Sequence, residues 1–322
     1  MKFRTEIEKF ELKHKINYGT KIFTIGSCFA QNIAKCLERS KFRVTQSPLG
    51  ISFNPESILS TLRAYTLQSP ANLQRFVRRG DSWVSLDAHS EICGSSESEL
   101  LQAYNQAITE GHDALHAADC LIITFGTAWI YTHIATAQVV ANCHKVGNDH
   151  FTRSRMSIEQ IVNGFEQLFN DTLRDKRIIL TLSPVRHIGD GLIENSTSKA
   201  ILRVAIDQLC ERCDNVEYFP AYECLNDDLR DYRFYADDLA HPSTQAIDYI
   251  WERFIDSTID GDTKALLPKV EKIVSAAAHR PLNAQSEEYK AFCQKFLEIA
   301  KSIKEVDFSR ECAFFEQYCH KS

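Results

Sequence analysis

Ser27, in the run Ile22-Phe23-Thr24-Ile25-Gly26-Ser27-Cys28-Phe29-Ala30, is the residue of this chain best placed to do chemistry. Four apolar or β-branched residues read as a buried strand, Gly26 permits a sharp turn, and Phe29, Ile33 and Leu37 then recur at helical spacing. The hydroxyl therefore falls at a strand-to-helix turn, on the carboxyl edge of a sheet, beside a helix N-terminus that stabilises negative charge. That place suits a nucleophile. On this stretch alone the plainer reading is an N-cap serine that satisfies orphan N–H groups. A serine nucleophile needs a base, and the base needs an acid to orient it. Asp238 and His241 offer both, in Asp237-Asp238-Leu239-Ala240-His241-Pro242-Ser243, with the acid three residues before the imidazole at a helix entrance. Taken separately they read equally well as capping and surface groups. The serine and the pair gain weight together.

Further polar residues fall where strands end. Cys120 to Thr124 reads as a central strand and runs directly into Phe125-Gly126-Thr127-Ala128-Trp129, so this loop should share an edge with Ser27. After a second strand at Phe42 to Thr45, the loop Ser47 to Pro55 contains Gly50, where backbone can approach a ligand closely or simply turn. Asn142-Cys143-His144-Lys145 follows a loose hairpin over residues 130–140, and its polar cluster faces either a ligand or water. Ser183-Pro184-Val185-Arg186-His187 follows the strand Arg177 to Leu182, at the strand end where open α/β sheets bind ligands. Arg186 and His187 are therefore candidate pocket residues, against a solvated proline turn as the alternative.

Helical patterns intervene between these strands: Glu56 to Tyr65, a helix opened by Ser96 and Glu99 that runs towards Ala118, a strongly amphipathic stretch from Ile158 to Leu173, and Lys199 to Arg212. Phe76 to Leu86 reads as a short hairpin and Val216 to Phe219 as a fifth strand. The alternation predicts an α/β fold, a three-layer α/β/α sandwich around a five-stranded, mainly parallel sheet. Residues 1–260 make one α/β domain. Residues 261–322 form a C-terminal helical extension, whose stripes Leu266, Leu267, Val270, Val274 and Tyr289, Phe292, Phe296, Ile299 pack on the main domain or on a second copy of the chain.

The 322 residues carry 44% hydrophobic side chains and a net charge of −6 with no Lys/Arg run, so the electrostatic footprint of a nucleic-acid or anionic-membrane binder is missing. A small or neutral molecule is the expected partner. The N-terminus has no continuous apolar core of a secretory signal, and the longest apolar run, around Leu121 to Tyr131, is too short to span a bilayer. Eleven cysteines, an odd number, argue for free thiols in a reducing compartment, so the expected location is cytoplasmic. Cys210 and Cys213 have redox or zinc spacing but lack a second ligand pair, and read as structural. No Gly-rich phosphate loop is present, and no cofactor or metal is called for.

Gly26-Ser27-Cys28-Phe29-Ala30 spells the GSCFA signature, and from about Lys21 to Phe254 the chain resembles the GSCFA family, a branch near the SGNH/GDSL hydrolases. Phe53-Asn54-Pro55, Gly126-Thr127-Ala128-Trp129, Asn142-Cys143-His144-Lys145, Ser183 to His187, Asp227 to Tyr232 and His241-Pro242-Ser243 carry the likeness in order. It implies an SGNH-like, flavodoxin-like sandwich. Ser27 would stand for the nucleophile, Gly50 for the backbone oxyanion donor after the second strand, and Asp238 with His241 for the carboxylate and base. One departure is plain: the Asn that SGNH enzymes place in a Gly-x-Asn-Asp block is absent from Gly126-Thr127-Ala128-Trp129. Thr127 and Asn142 are the candidates for that third donor.

The implied activity is a serine esterase that removes an acyl or acetyl group from a small or carbohydrate ester, the Ser27 and Gly50 N–H groups holding the oxyanion. O-acyl transfer on the same site, and a degenerate module that binds a carbohydrate or acyl ligand without turnover, are the alternatives. A cysteine hydrolase using Cys28 is a weaker third, because a residue one step into the helix should point away from its mouth.

Overall fold

The structure, a computed structural model, describes residues 4–281, 283 and 286–319. Its frame is a five-stranded, all-parallel sheet of β1 (Lys21–Gly26), β2 (Arg43–Gln46), β6 (Cys120–Phe125), β10 (Arg177–Leu182) and β11 (Val216–Phe219). The order β11-β10-β6-β1-β2 is the doubly wound order 2-1-3-4-5, which reverses direction between β1 and β6. Crossover helices α1 (Cys28–Arg39), α2 (Pro55–Leu67), α3 (Glu97–Ala117), α4 (Ile158–Asn170) and α5 (Leu192–Arg212) cover its faces. A short α6 (Ala221–Glu223) runs on into a π-helical turn at Cys224–Leu229, and α7 (Thr244–Thr258) follows the loop that carries His241.

Period-two alternation sorts the strands into two cores. Phe23 and Ile25 of β1, Leu121, Ile123 and Phe125 of β6 and Ile178, Leu180 and Leu182 of β10 pack with α2 to α5. Ile22, Ile122 and Ile179 face the other way, against α1 and α7. Burial on both faces is why these strands read as near-continuous apolar and β-branched runs. Each such side chain taken out of water contributes about 1.5–3 kcal/mol. The register pairs Gly26 with Thr124, and Gly26 adopts φ +137; a Cβ there would lie 2.2 Å from the Thr124 carbonyl oxygen. Only glycine closes the strands this tightly where the chain leaves β1.

Two small antiparallel sheets extend the rim: β3 (Phe76–Arg79) with β4 (Ser82–Ser85) and β5 (Cys93–Gly94), and β7 (Trp129–His133) with β8 (Gln138–Val139) and β9 (Phe151–Arg155). The strand β9 was not expected from its sequence. Four of its five residues are exposed, so it lacks the buried alternation that marks a strand, and pairing with β7 is what orders it. The C-terminal helices α8 (Gly261–Ala278), α9 (Glu287–Ser302) and α10 (Ser309–Cys319) pack on the α1 and α7 face. Leu267, Val270, Cys293 and Phe315 share one core with Ile33, Leu37 and Phe254, and Lys41 pairs with Glu311 at 2.9 Å. Among the described residues no helix is long and apolar enough to cross a membrane.

Candidate active site

Ser27 and Gly126 immediately follow β1 and β6, the two strands that flank the reversal of the sheet. Ser27 caps α1: its Oγ accepts the Phe29 N–H at 3.3 Å, using a lone pair and leaving its own hydrogen to donate. The residue is 1% exposed. Its backbone N–H continues the ladder to the Thr124 carbonyl at 3.1 Å. Between the two strand ends runs the loop after β2. Ser52 N–H bonds Gly26 O at 3.0 Å, and Phe53 O receives Gly126 N–H at 2.8 Å and Thr127 N–H at 3.0 Å. Asn54 then caps α2 through the Ser57 N–H, with Pro55 in the first turn.

Asp238 and His241 form a preassembled pair. Asp238 Oδ2 lies 2.6 Å from His241 Nδ1, while its Oδ1 accepts the N–H groups of Ala240 and His241, each at 2.9 Å. Those two backbone donors, with the imidazole, hold the carboxyl down at about 2. An ionised acceptor on Nδ1 selects the tautomer with a free lone pair on Nε2. The side chains are half exposed, 51% and 48%. The loop is pinned by Ala236 N–H to His241 O at 2.8 Å and joined to the strand β10 loop by Arg186 N–H to Ala240 O at 3.1 Å.

That second loop brings His187 to the serine. A Cβ built on Gly126 would lie 3.2 Å from Ser27 Cβ and 3.4 Å from His187 Nε2, so serine and imidazole flank one glycine. Phe53 meets the His187 ring edge-on at 6.0 Å, and Asn195 Oδ1 accepts the His187 N–H at 3.0 Å. Burial, then the charges of Lys199 and His241, press His187 down to about 4, and its Nε2 is buried without a partner among the described residues. Arg186 stacks on Tyr235, 4.1 Å from the ring centre. Cys28, half buried, has its thiol raised by burial, so it is not a ready thiolate.

The remaining candidates have other engagements. Gly50, at φ +84, turns the β2 loop against His89, and its N–H goes to Ser47 O at 2.9 Å. Thr127 Oγ1 sits 3.1 Å from Ser198 Oγ and receives the Trp129 N–H at 3.2 Å. Asn142 Oδ1 accepts the His144 N–H at 2.8 Å, and His144 is buried with Nε2 2.7 Å from Ser85 O. Asn142 and His144 thus stand on the β4 support.

Asn195, Ser198 and Lys199 adjoin the loops after β6 and β10, although the sequence marks them only as part of, or just before, a helix. They lie at i, i+3 and i+4 on α5, in line with the apolar stripe Leu202, Ile206 and Leu209, and all are buried. The helix starts at Leu192, not at Lys199, because its first two turns bury polar rather than apolar groups. Polar residues in register with a core stripe were the available signal.

No curated protein matches the chain in sequence. A solved structure from Streptococcus pneumonia, named for a platelet activating factor, is 14% identical over 74% of this chain and 83% of its own, with a TM-score of 0.39. Residues 270–321 match the model of the C-terminal domain of GSCFA domain proteins. Residues 21–254, which hold the whole sheet, Ser27 and His241, match the GSCFA family model, and the chain belongs to the GSCFA family.

Proposed function

We propose that this protein is an ester hydrolase of the SGNH type in which Ser27 is the nucleophile, His241 the general base and Asp238 the acid that orients it. The 2.6 Å contact between Asp238 and His241, on a loop tied to the β10 loop that adjoins Ser27, carries this reading. His241 Nε2 takes the Ser27 proton as Oγ attacks the ester carbonyl, and returns it to the departing alcohol oxygen as the C–O bond breaks. Water, deprotonated by the same imidazole, then attacks the acyl-serine and releases the acid. Because the Ser27 and Gly50 N–H groups already have acceptors, the oxyanion falls to the Cys28 N–H and the positive end of α1. Attack by a sugar hydroxyl in place of water would make the same site an acyltransferase.

The rim favours an ester with an apolar part. Ile188, Leu192 and Ile193 follow His187, Tyr232 and Leu239 flank the Asp238 loop, and all five are exposed. A ligand-binding module without turnover is the second reading, favoured by the near-complete cover over Ser27. Labelling the full chain with a serine-directed fluorophosphonate and mapping the adduct decides between them. A Ser27 adduct, lost in Ser27→Ala and kept in Cys28→Ala, supports the hydrolase; an unlabelled wild type or an adduct on Cys28 refutes it.

A further inference from the structure

Beside the proposed nucleophile lies a buried cation that the proposed mechanism does not use. Lys199 is 2% exposed, and its Nζ donates to the carbonyls of Gly126 at 2.6 Å and Ser183 at 2.7 Å. These carbonyls belong to the loops that leave β6 and β10, two adjacent strands. The first is the carbonyl of the glycine that Ser27 and His187 flank. Around the ammonium stand the Cys28 thiol, the His187 imidazole and, 6.0 Å away, the ring of Tyr222. Beyond these, Asp238 acts on Cys28 and His241 on His187. Among the described residues no carboxylate pairs with Lys199, and both acceptors are neutral. Burying a cation without an anion is costly, and a side chain kept only for packing would be apolar at this position.

We infer that Lys199 is a positioning residue of the Ser27 site: its ammonium clamps the β6 and β10 loops by their carbonyls and stands as the resident positive charge towards which negative charge develops on the substrate. The clamp sets the spacing of Gly126 against Ser27 and His187. Burial first, and the ammonium charge second, keep the neighbouring imidazole unprotonated beside the serine. Burial lowers the lysine to about 7, so its charge is held only in part at neutral pH, and negative charge developing nearby would favour the ammonium. The inference rests on Ser27 as the reacting group, and its test has a readout that does not.

Lys199→Met and Lys199→Gln in the full chain would be compared with wild type. Histidine-labelled protein, titrated by NMR, reports His187 directly: loss of the charge should move its midpoint upward from about 4, part of the way towards the ordinary histidine range, since burial remains. Steady-state hydrolysis of nitrophenyl acetate should show kcat lowered about a hundredfold with KM within about twofold, as expected when a group acts mainly in the transition state. A His187 midpoint that stays put, or a kcat within about twofold of wild type, overturns the inference. So does failure of both variants to fold, which would assign Lys199 to the core alone. Should wild type hydrolyse no ester and Ser27 take no label, the proposed activity fails, and the His187 titration by itself still decides whether Lys199 is the charge that governs this site.

Discussion

Replacing Gly126 by Ala places a single methyl group where Ser27 and His187 meet. The added carbon would stand 2.8 Å from Phe53 O, 3.2 Å from Ser27 Cβ and 3.4 Å from His187 Nε2. The first distance is closer than real carbon contacts come, and the partner is backbone, so the Phe53 carbonyl must retreat by several tenths of an ångström. That carbonyl receives the N–H groups of Gly126 and Thr127, at 2.8 and 3.0 Å, so the retreat stretches both bonds. Overpacking of this kind costs about 1–3 kcal/mol. The smaller conformational freedom of alanine in the unfolded chain returns about 0.4–1 kcal/mol. A net loss of about 1–2 kcal/mol leaves the protein folded, with a melting temperature lower by a few degrees. The effect on rate should be far larger, because displacing a reacting group, here Ser27, by about 1 Å can cost on the order of a hundredfold. Gly189→Ala is the control: it lies two residues after His187, and a Cβ there meets nothing within 4 Å. Nitrophenyl acetate turnover beside calorimetric melting makes the comparison. If Gly126→Ala keeps turnover within about twofold of Gly189→Ala while melting lower, the chemistry does not take place beside Gly126, and Ser27 has been misread as the reacting group.

The other predictions concern separate parts of the same edge. Asp238→Asn should lower kcat about ten-thousandfold by allowing the wrong His241 tautomer, with circular dichroism unchanged, since the loop keeps its Ala236 to His241 backbone bond; a rate within about tenfold of wild type would remove Asp238 from the mechanism. His187 is held neutral with its midpoint lowered to about 4, whereas in the unfolded chain it takes up a proton near 6.5, so protons favour the unfolded state between those values. Its contribution to stability is whole above about pH 6.5, falls with pH, and is lost, about 3 kcal/mol at most, below about 4. Urea unfolding of wild type and His187→Phe should therefore show the variant gaining on wild type between pH 7 and 4, and a pH-independent difference would refute the assignment. Thr127→Val and Asn142→Ala should each leave kcat within about threefold of wild type, because both side chains are engaged with Ser198 and His144; a hundredfold loss in either would restore it as an oxyanion donor.

Local chemistry was enough to write most of the frame. Mostly apolar, β-branched runs at β1, β6 and β10 read as strands buried on both faces, and their repeated alternation with helices pointed to a parallel sheet. The strand-to-helix turn at Gly26-Ser27 and the Asp238–His241 pair were equally legible, because a turn, a cap and an i, i+3 contact depend on residues a few positions apart. Strand order was not legible. The reversal between β1 and β6 makes Gly126 a neighbour of Ser27 across about a hundred residues, and no periodicity encodes that register. The donors followed the same rule: the N–H groups of Ser27 and Gly50 looked free in the sequence, and only the folded chain supplies Thr124 O and Ser47 O as their acceptors. Lys199 shows the limit most clearly. Within its own helix it is one charged residue among several, and it becomes a buried cation only because α5 lays it across the ends of two strands, against carbonyls 73 and 16 residues away.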